Sequence, residues 1–150
     1  MSFVYLDIEG NEHGRKEWDM HHPYNRGAMK GRGEKEWADM FTLPMLKVWH
    51  NLGKNALHSC IPLCPKPNKE LMCLLRQNRY QQIEADKVAV AQGLQPATPY
   101  DNFIDMNLYV HQIAETTENS GLQRVAWRVA NNLEMQSEFI LLGQIERVEV

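Results

Sequence analysis

Long apolar runs are missing from this chain. Nothing in its 150 residues approaches the roughly 18 to 20 consecutive apolar residues that a membrane-spanning helix needs. The N-terminal MSFVYLDIEG has neither a basic leading region nor an extended apolar core, so the expected location is cytoplasmic, with no membrane partner. Cysteine is scarce: Cys60, Cys64 and Cys73 make three, an odd number that leaves no closed disulfide framework. No CxxC pair occurs, and His58-x-Cys60-x3-Cys64 with a distant Cys73 is too irregular for a zinc knuckle, so a structural zinc is not expected. A strong net charge is absent too. At −3 the chain lacks the high-pI footprint of a dedicated DNA-binding domain. There is no internal repeat, no low-complexity tract, and no glycine spacing that matches a dinucleotide fingerprint or a P-loop.

What is present is ordinary in bulk and uneven in distribution. A hydrophobic share of 43% and a charged share of 23% suit a single domain over residues 1–150, large enough to bury a core. Residues 1–79 carry 12 Lys/Arg against 9 Asp/Glu, whereas residues 80–150 carry 4 against 10. A basic front that also holds His13, His21 and His22 can face phosphate, which makes nucleic acid a candidate partner of the N-terminal half. Solvated helical faces would leave the same asymmetry.

The chain divides into an irregular basic region, 1–33, and a helical region, 34–150. Phe3-Val4-Tyr5-Leu6 reads as a short strand ending near Gly10, with Asp7 and Glu9 alternating onto one face. Asn11 to Gly33 is rich in glycine and reads as loop, with a second short strand through Trp18, Asp19 and Met20. Within it, RGAMKGRG with Arg26, Lys30 and Arg32 is a basic loop. From Glu34 the period changes: Trp37, Phe41, Met45, Val48 and Leu52 predict one face of a helix kinked at Pro44 and ending at Gly53. Pro62, Pro65 and Pro67 keep the next segment extended.

Asn68 then caps a long helix to Gln92, closed by Gly93 with Leu94 in the position of a Schellman end. Its predicted apolar positions are Leu71, Leu74, Leu75, Ile83 and Val90. Thr98-Pro99-Tyr100-Asp101 starts a further helix with Phe103, Met106, Val110 and Ile113 on one stripe. Ser120 and Gln123 fit a capping box ahead of Leu122, Val125, Val129 and Leu133. Phe139, Leu142 and Ile145 extend that helix, or FILLG and the last residues form a strand; the pattern leaves both open. The fold class is therefore mainly α: a bundle of about four helices behind an irregular N-terminal region with one or two short strands.

Chemistry-bearing residues concentrate between Trp49 and Cys73 (WHNLGKNALHSCIPLCPKPNKELMC) and at His21-His22. His21-His22 followed by Asn51, Asn55 and His58 resembles the His-Me finger (HNH) nucleases, over about residues 17–60. In that family a histidine is the general base toward water, an asparagine holds it in orientation, and histidines or an acid bind a single divalent metal ion. Carried over, the resemblance implies His22 as base, Asn51 as the orienting residue, and His21 and His58 as metal ligands, with His50 able to replace either. A helix between His22 and Asn51 departs from the family, which has a short loop and strand there. The proline-rich segment after His58 also departs, because the family's last histidine sits on its final helix. Without convergence, His50 and His58 are helix-end residues and His21 and His22 lie on the surface.

His111 and Glu115 lie four apart on one helix face but make only half a metal pair, since no ExxH helix accompanies them. Two function classes follow. One is a nucleic-acid-associated protein, in its sharper form a metal-dependent phosphodiesterase or endonuclease of HNH type. The other is a non-catalytic helical module, an interaction or inhibitor protein, that meets a protein partner through the amide-rich face from Asn78 to Gln82.

Overall fold

The computed structural model describes residues 2–24 and 41–149. The basic glycine loop around Arg26, Lys30 and Arg32, and the helix start at Glu34 and Trp37, lie outside the described residues.

The chain opens with β1 (Phe3–Leu6) and β2 (Glu12–His13). Gly10, at φ +83°, makes the left-handed turn between them, where a Cβ would be strained. Asp7 is part of that turn and not of a carboxylate face: its Oδ1 accepts the backbone N–H groups of Glu9 and Asn11, each at 2.9 Å. A single 3-10 turn (Arg15–Glu17) leads into β3 (Trp18–His21), which pairs antiparallel with β4 (Leu43–Leu46). Two one-turn helices follow, α1 (Lys47–His50) and α2 (Leu57–Cys60). Three long helices, α3 (Lys69–Ala91), α4 (Pro99–Thr116) and α5 (Ser120–Leu142), supply the bulk of the fold, and β5 (Glu146–Glu149) ends it. The fold is mainly α, with short strands gathered around the N-terminal region and one returning from the C-terminus.

Local chemistry accounts for the long helices. Asn68 caps α3 by accepting from Leu71 N. At the other end, Gly93 N bonds Val90 O while Leu94 N reaches back to Ala89 O at 2.8 Å, the paired bonds of a Schellman end. Thr98 and Asp101 form the reciprocal capping box of α4, with Pro99 in its first turn. At α5 the cap is Asn119, one residue before the predicted serine; its side chain accepts from Leu122 N.

The stripe Phe103, Met106, Val110 and Ile113 is buried against Leu122, Ala126, Val129, Ala130 and Leu133 of α5. Each large member is worth roughly 1.5–3 kcal/mol of burial. Only the front of α3 joins this core, through Leu71, Met72 and Leu75. Val90, expected inward, is 60% exposed.

Two sequence expectations are corrected. Residues 43–46, predicted as the continuation of a kinked helix, are strand β4. Pro44 sits at a strand position opposite Met20 in a sheet of only two strands, where no ladder of a central strand is interrupted by the lost N–H donor. The apolar residues Leu43, Met45 and Leu46 are buried by strand pairing and packing, which a 3.6-residue period imitates over so short a run. At the C-terminus each alternative holds only in part: FILL is the last turn of α5 and not strand, and the helix stops at Leu142, short of Ile145. The final residues form β5, which adds antiparallel to β1 in the order β2-β1-β5.

The end of α5 is tied to β4. Leu46 N bonds Gly143 O at 2.8 Å, and Met45 bridges Gln144. A Cβ on Gly143 would stand 3.0 Å from Met45 Cε and from Phe139 O and 3.1 Å from Trp49 Cβ, so glycine permits this close approach. The β3–β4 strand pair is thereby held against α5. Among the described residues no helix is long and apolar enough to cross a membrane.

Candidate metal centre

The β3–β4–α1–α2 segment places three histidines at one point. His21 is the last residue of β3, His50 the last of α1, and His58 the second of α2. The connection between α1 and α2 turns at Gly53, φ +99°. It is closed from α2, where Ser59 Oγ donates to Gly53 O at 2.8 Å and Cys60 Sγ donates to Lys54 O at 3.3 Å. These two bonds tie the second half of α2 back to the connection, and His58 Nε2 lies 2.9 Å from His50 Nε2.

The ring centroids lie 5.0 Å apart for His21 and His50, 5.5 Å for His21 and His58, and 4.6 Å for His50 and His58. One ring nitrogen from each of the three falls within 4.8 Å of the others. His50 Nε2 and His58 Nε2 face each other at 2.9 Å. His21 and His50 are buried and His58 is exposed, so the cluster opens to solvent on the α2 side.

The surrounding groups hold these rings. His50 Nδ1 meets Asp19 Oδ1 at 2.6 Å, and the second oxygen of Asp19 accepts from Asn51 Nδ2 at 3.2 Å. Asp19 and His21 are two apart on β3 and share a face. His21 Nε2 meets Gln136 Oε1 on α5 at 2.7 Å, whereas its Nδ1 is buried without a hydrogen-bond partner. Burial holds the His21 imidazolium far below its ordinary range, to about 3, and the neighbouring His50, His58 and His22 push the same way against the Gln136 hydrogen bond. Burial and the nearby His50 also lower His58. Both rings are thus disposed to be neutral, as metal ligands must be. A buried orphan nitrogen, on a ring whose centroid lies 5.0 and 5.5 Å from those of two further imidazoles, fits a divalent cation chemically.

Of the residues singled out from sequence, His21 and His58 come together, and His50 joins both of them. His22 follows directly on β3, half-buried, near enough to lower the His21 pKa. Asn51 orients Asp19, and through it His50. The cysteines lie apart in character: Cys64 is buried, Cys60 and Cys73 exposed. His111 stands 3.9 Å from Glu134 and edge-on to Trp127. Asp19 and Gln136 were not anticipated as site residues. Asp19 was legible as the residue two before His21 on a strand, and Gln136 as a polar interruption of the α5 stripe. No family model, no curated protein and no solved structure matches this chain.

Proposed function

We propose that the protein is a metal-dependent phosphodiesterase acting on nucleic acid, with His21, His50 and His58 as the ligands of a single divalent cation. The convergence of these three ring nitrogens from β3, α1 and α2 carries the reading. Two further features support it. The strand that the HNH resemblance implies between His22 and Asn51 has a counterpart in β4, and His58 stands on a helix, although one of a single turn. A set of neutral imidazoles suits zinc, nickel or cobalt better than magnesium or calcium, which prefer oxygen.

When bound, such a cation would neutralise charge developing on the leaving oxygen of a phosphodiester. The chain's own groups do the rest. His22 takes the proton of the attacking water as the new P–O bond forms and the bond to the leaving oxygen breaks. Asp19 keeps the His50 ring turned so that Nε2 faces the centre. Lys47 and Lys54 border the same segment and, with the basic N-terminal half, attract the phosphate backbone.

The decisive assay incubates supercoiled DNA, single-stranded DNA and RNA with the protein in magnesium, manganese, nickel or zinc, alongside His22→Ala and His58→Ala. Cleavage in the transition-metal arms, reduced about a hundredfold or more by His22→Ala with binding retained, is the expected result. Wild-type protein that neither binds nor cuts any of the three would end the nucleic-acid reading.

One observation favours the second class, a helical module binding a protein partner. Val88, Val90 and Leu94 at the rear of α3 are each more than half exposed, beside the amide-rich turn at Asn78 to Gln82. That class tolerates loss of all three histidines.

A further inference from the structure

We infer that the buried amide pair Asn132 and Gln136 on α5 is a positioning device: it keeps the proton of His21 on Nε2 and presents Nδ1, bare, to the His50 and His58 rings. The value of this placement for a cation rests on the metal reading above; the placement of the proton does not.

The argument is one of donors and acceptors. Both ends of the hydrogen-bond chain are backbone carbonyls, which can only accept. Asn132 Nδ2 meets Pro62 O at 3.0 Å, so that nitrogen donates and Asn132 Oδ1 is left as an acceptor. Gln136 Nε2 meets Asn132 Oδ1 at 2.6 Å and Pro23 O at 3.0 Å, and its two hydrogens are used on these two oxygens. Gln136 Oε1 therefore has only lone pairs to offer, and it faces His21 Nε2 at 2.7 Å. Of the two neutral tautomers of His21, only the one protonated on Nε2 completes this bond. Rotating either amide would set oxygen against oxygen at Pro62, Pro23 or Asn132, inside a region where Asn132 and Gln136 are each 2% exposed.

The chain also ties the two approaches to the site together. Pro23 lies two residues after His21, and Pro62 lies four after His58. One pair of side chains, i and i+4 on a core helix, thus grips both segments and sets the ring between them. A Gln in the middle of the stripe Val129, Leu133, Ile140 would otherwise be an unrewarded polar group in the core. The two ligand rings then differ in kind: His50 is backed by the carboxylate of Asp19 and His21 by a neutral amide, so His50 is the stronger donor.

The test reads the proton directly. In metal-free, 15N-labelled wild-type protein, long-range 1H–15N correlation should show His21 as a single neutral tautomer with the proton on Nε2. A proton on Nδ1, or a mixture of tautomers, overturns the inference whatever the protein does with metal. Gln136→Met should release the ring into a mixture and weaken zinc binding, measured by chelator competition, by about 10- to 100-fold. Gln136→Glu keeps an acceptor toward Nε2 but sets its other oxygen against Asn132 Oδ1 and Pro23 O, so it should keep the proton on Nε2 while lowering the melting temperature. A folded Gln136→Met protein with the wild-type tautomer overturns the inference. If that variant does not fold, the wild-type spectrum decides alone. Wild-type protein that fails to bind zinc removes the metal reading and leaves the tautomer measurement to judge the relay.

Discussion

His50 Nδ1 lies 2.6 Å from Asp19 Oδ1, across 31 residues of sequence. This contact turns a helix-end histidine into a candidate ligand, because a carboxylate that accepts at Nδ1 leaves the Nε2 lone pair for the centre. Asn51 holds the other oxygen of Asp19, so the carboxylate cannot swing away without breaking a second bond.

Asp19→Ala should therefore weaken zinc binding by about 10- to 100-fold, and Asp19→Asn by less, since the amide oxygen still accepts from His50. Chelator competition at fixed pH measures both. Equal affinity in all three proteins would show that Asp19 does not support the site.

The two outer histidines should behave differently when truncated. His58 is exposed, so His58→Ala should leave stability nearly unchanged while weakening metal binding. His21→Ala instead strands Gln136 Oε1 in the core, at about 1–3 kcal/mol, and should lower the denaturation midpoint even without metal. Urea unfolding of both variants in chelator separates the effects; a His58→Ala loss as large as that of His21→Ala would contradict the assigned burial.

The long helices were legible because their signals are local. Asn68, Thr98 with Asp101, and Gly93 each act within one turn, and the Phe103 to Ile113 stripe needs only a 3.6-residue period. The site was half legible. His21 and His58 carry chemistry in any setting, but what joins them is a strand pairing in which His21 stands opposite Leu43, and no sequence period reports it. The helix predicted through Pro44 hid that pairing. Gln136 acts on His21 across 115 residues, so the sequence showed only an amide where the stripe called for an aliphatic residue.

Gly143 is the joint between α5 and β4. Gly143→Ala should destabilise the chain by about 1–3 kcal/mol, because the added methyl meets Phe139 O and Trp49 Cβ, which have little room to move. The same change should loosen the metal centre, since Trp49 precedes His50. A variant with wild-type melting temperature would mean that α5 and β4 adjust to each other freely.

Val129 is fully buried on α5, between α4 and the core. Val129→Asp places a charge with no partner there, and the cost approaches the whole of a typical domain's stability of about 5–15 kcal/mol. Far-ultraviolet circular dichroism should show the variant largely unfolded at room temperature, and a normal helical spectrum with a normal melting curve would contradict the packing of α4 on α5.

The last prediction concerns pH at the N-terminal sheet, away from the histidine cluster. Asp7 Oδ2 meets His13 Nε2 at 2.7 Å, and Glu17 Oε1 lies 3.5 Å from His13 Nδ1, close enough to attract the charged ring but long for a directed bond. The His13 hydrogen bond, opposed by some burial and helped by the Asn11 and Glu9 amides, holds Asp7 down to about 2. The Asp7 carboxylate in turn raises His13 above its ordinary 6.5, with Glu17 adding to it. A depressed carboxylate stabilises the fold above its ordinary range, near 4, and that contribution is lost as pH falls toward 2. A raised imidazole stabilises below about 6.5, and its contribution is lost as pH rises through the higher folded value. The pair should therefore hold β1 to β2 best between about pH 4 and 6.5 and let the hairpin loosen on the alkaline side. NMR titration should give His13 a pKa above 6.5 that falls toward the ordinary value in Asp7→Asn. Amide exchange at His13 and Tyr5 should quicken above that pKa in the wild type, and in the variant should follow only the intrinsic pH dependence of exchange. A His13 that titrates identically in both proteins would show that the contact with Asp7 does not hold the hairpin.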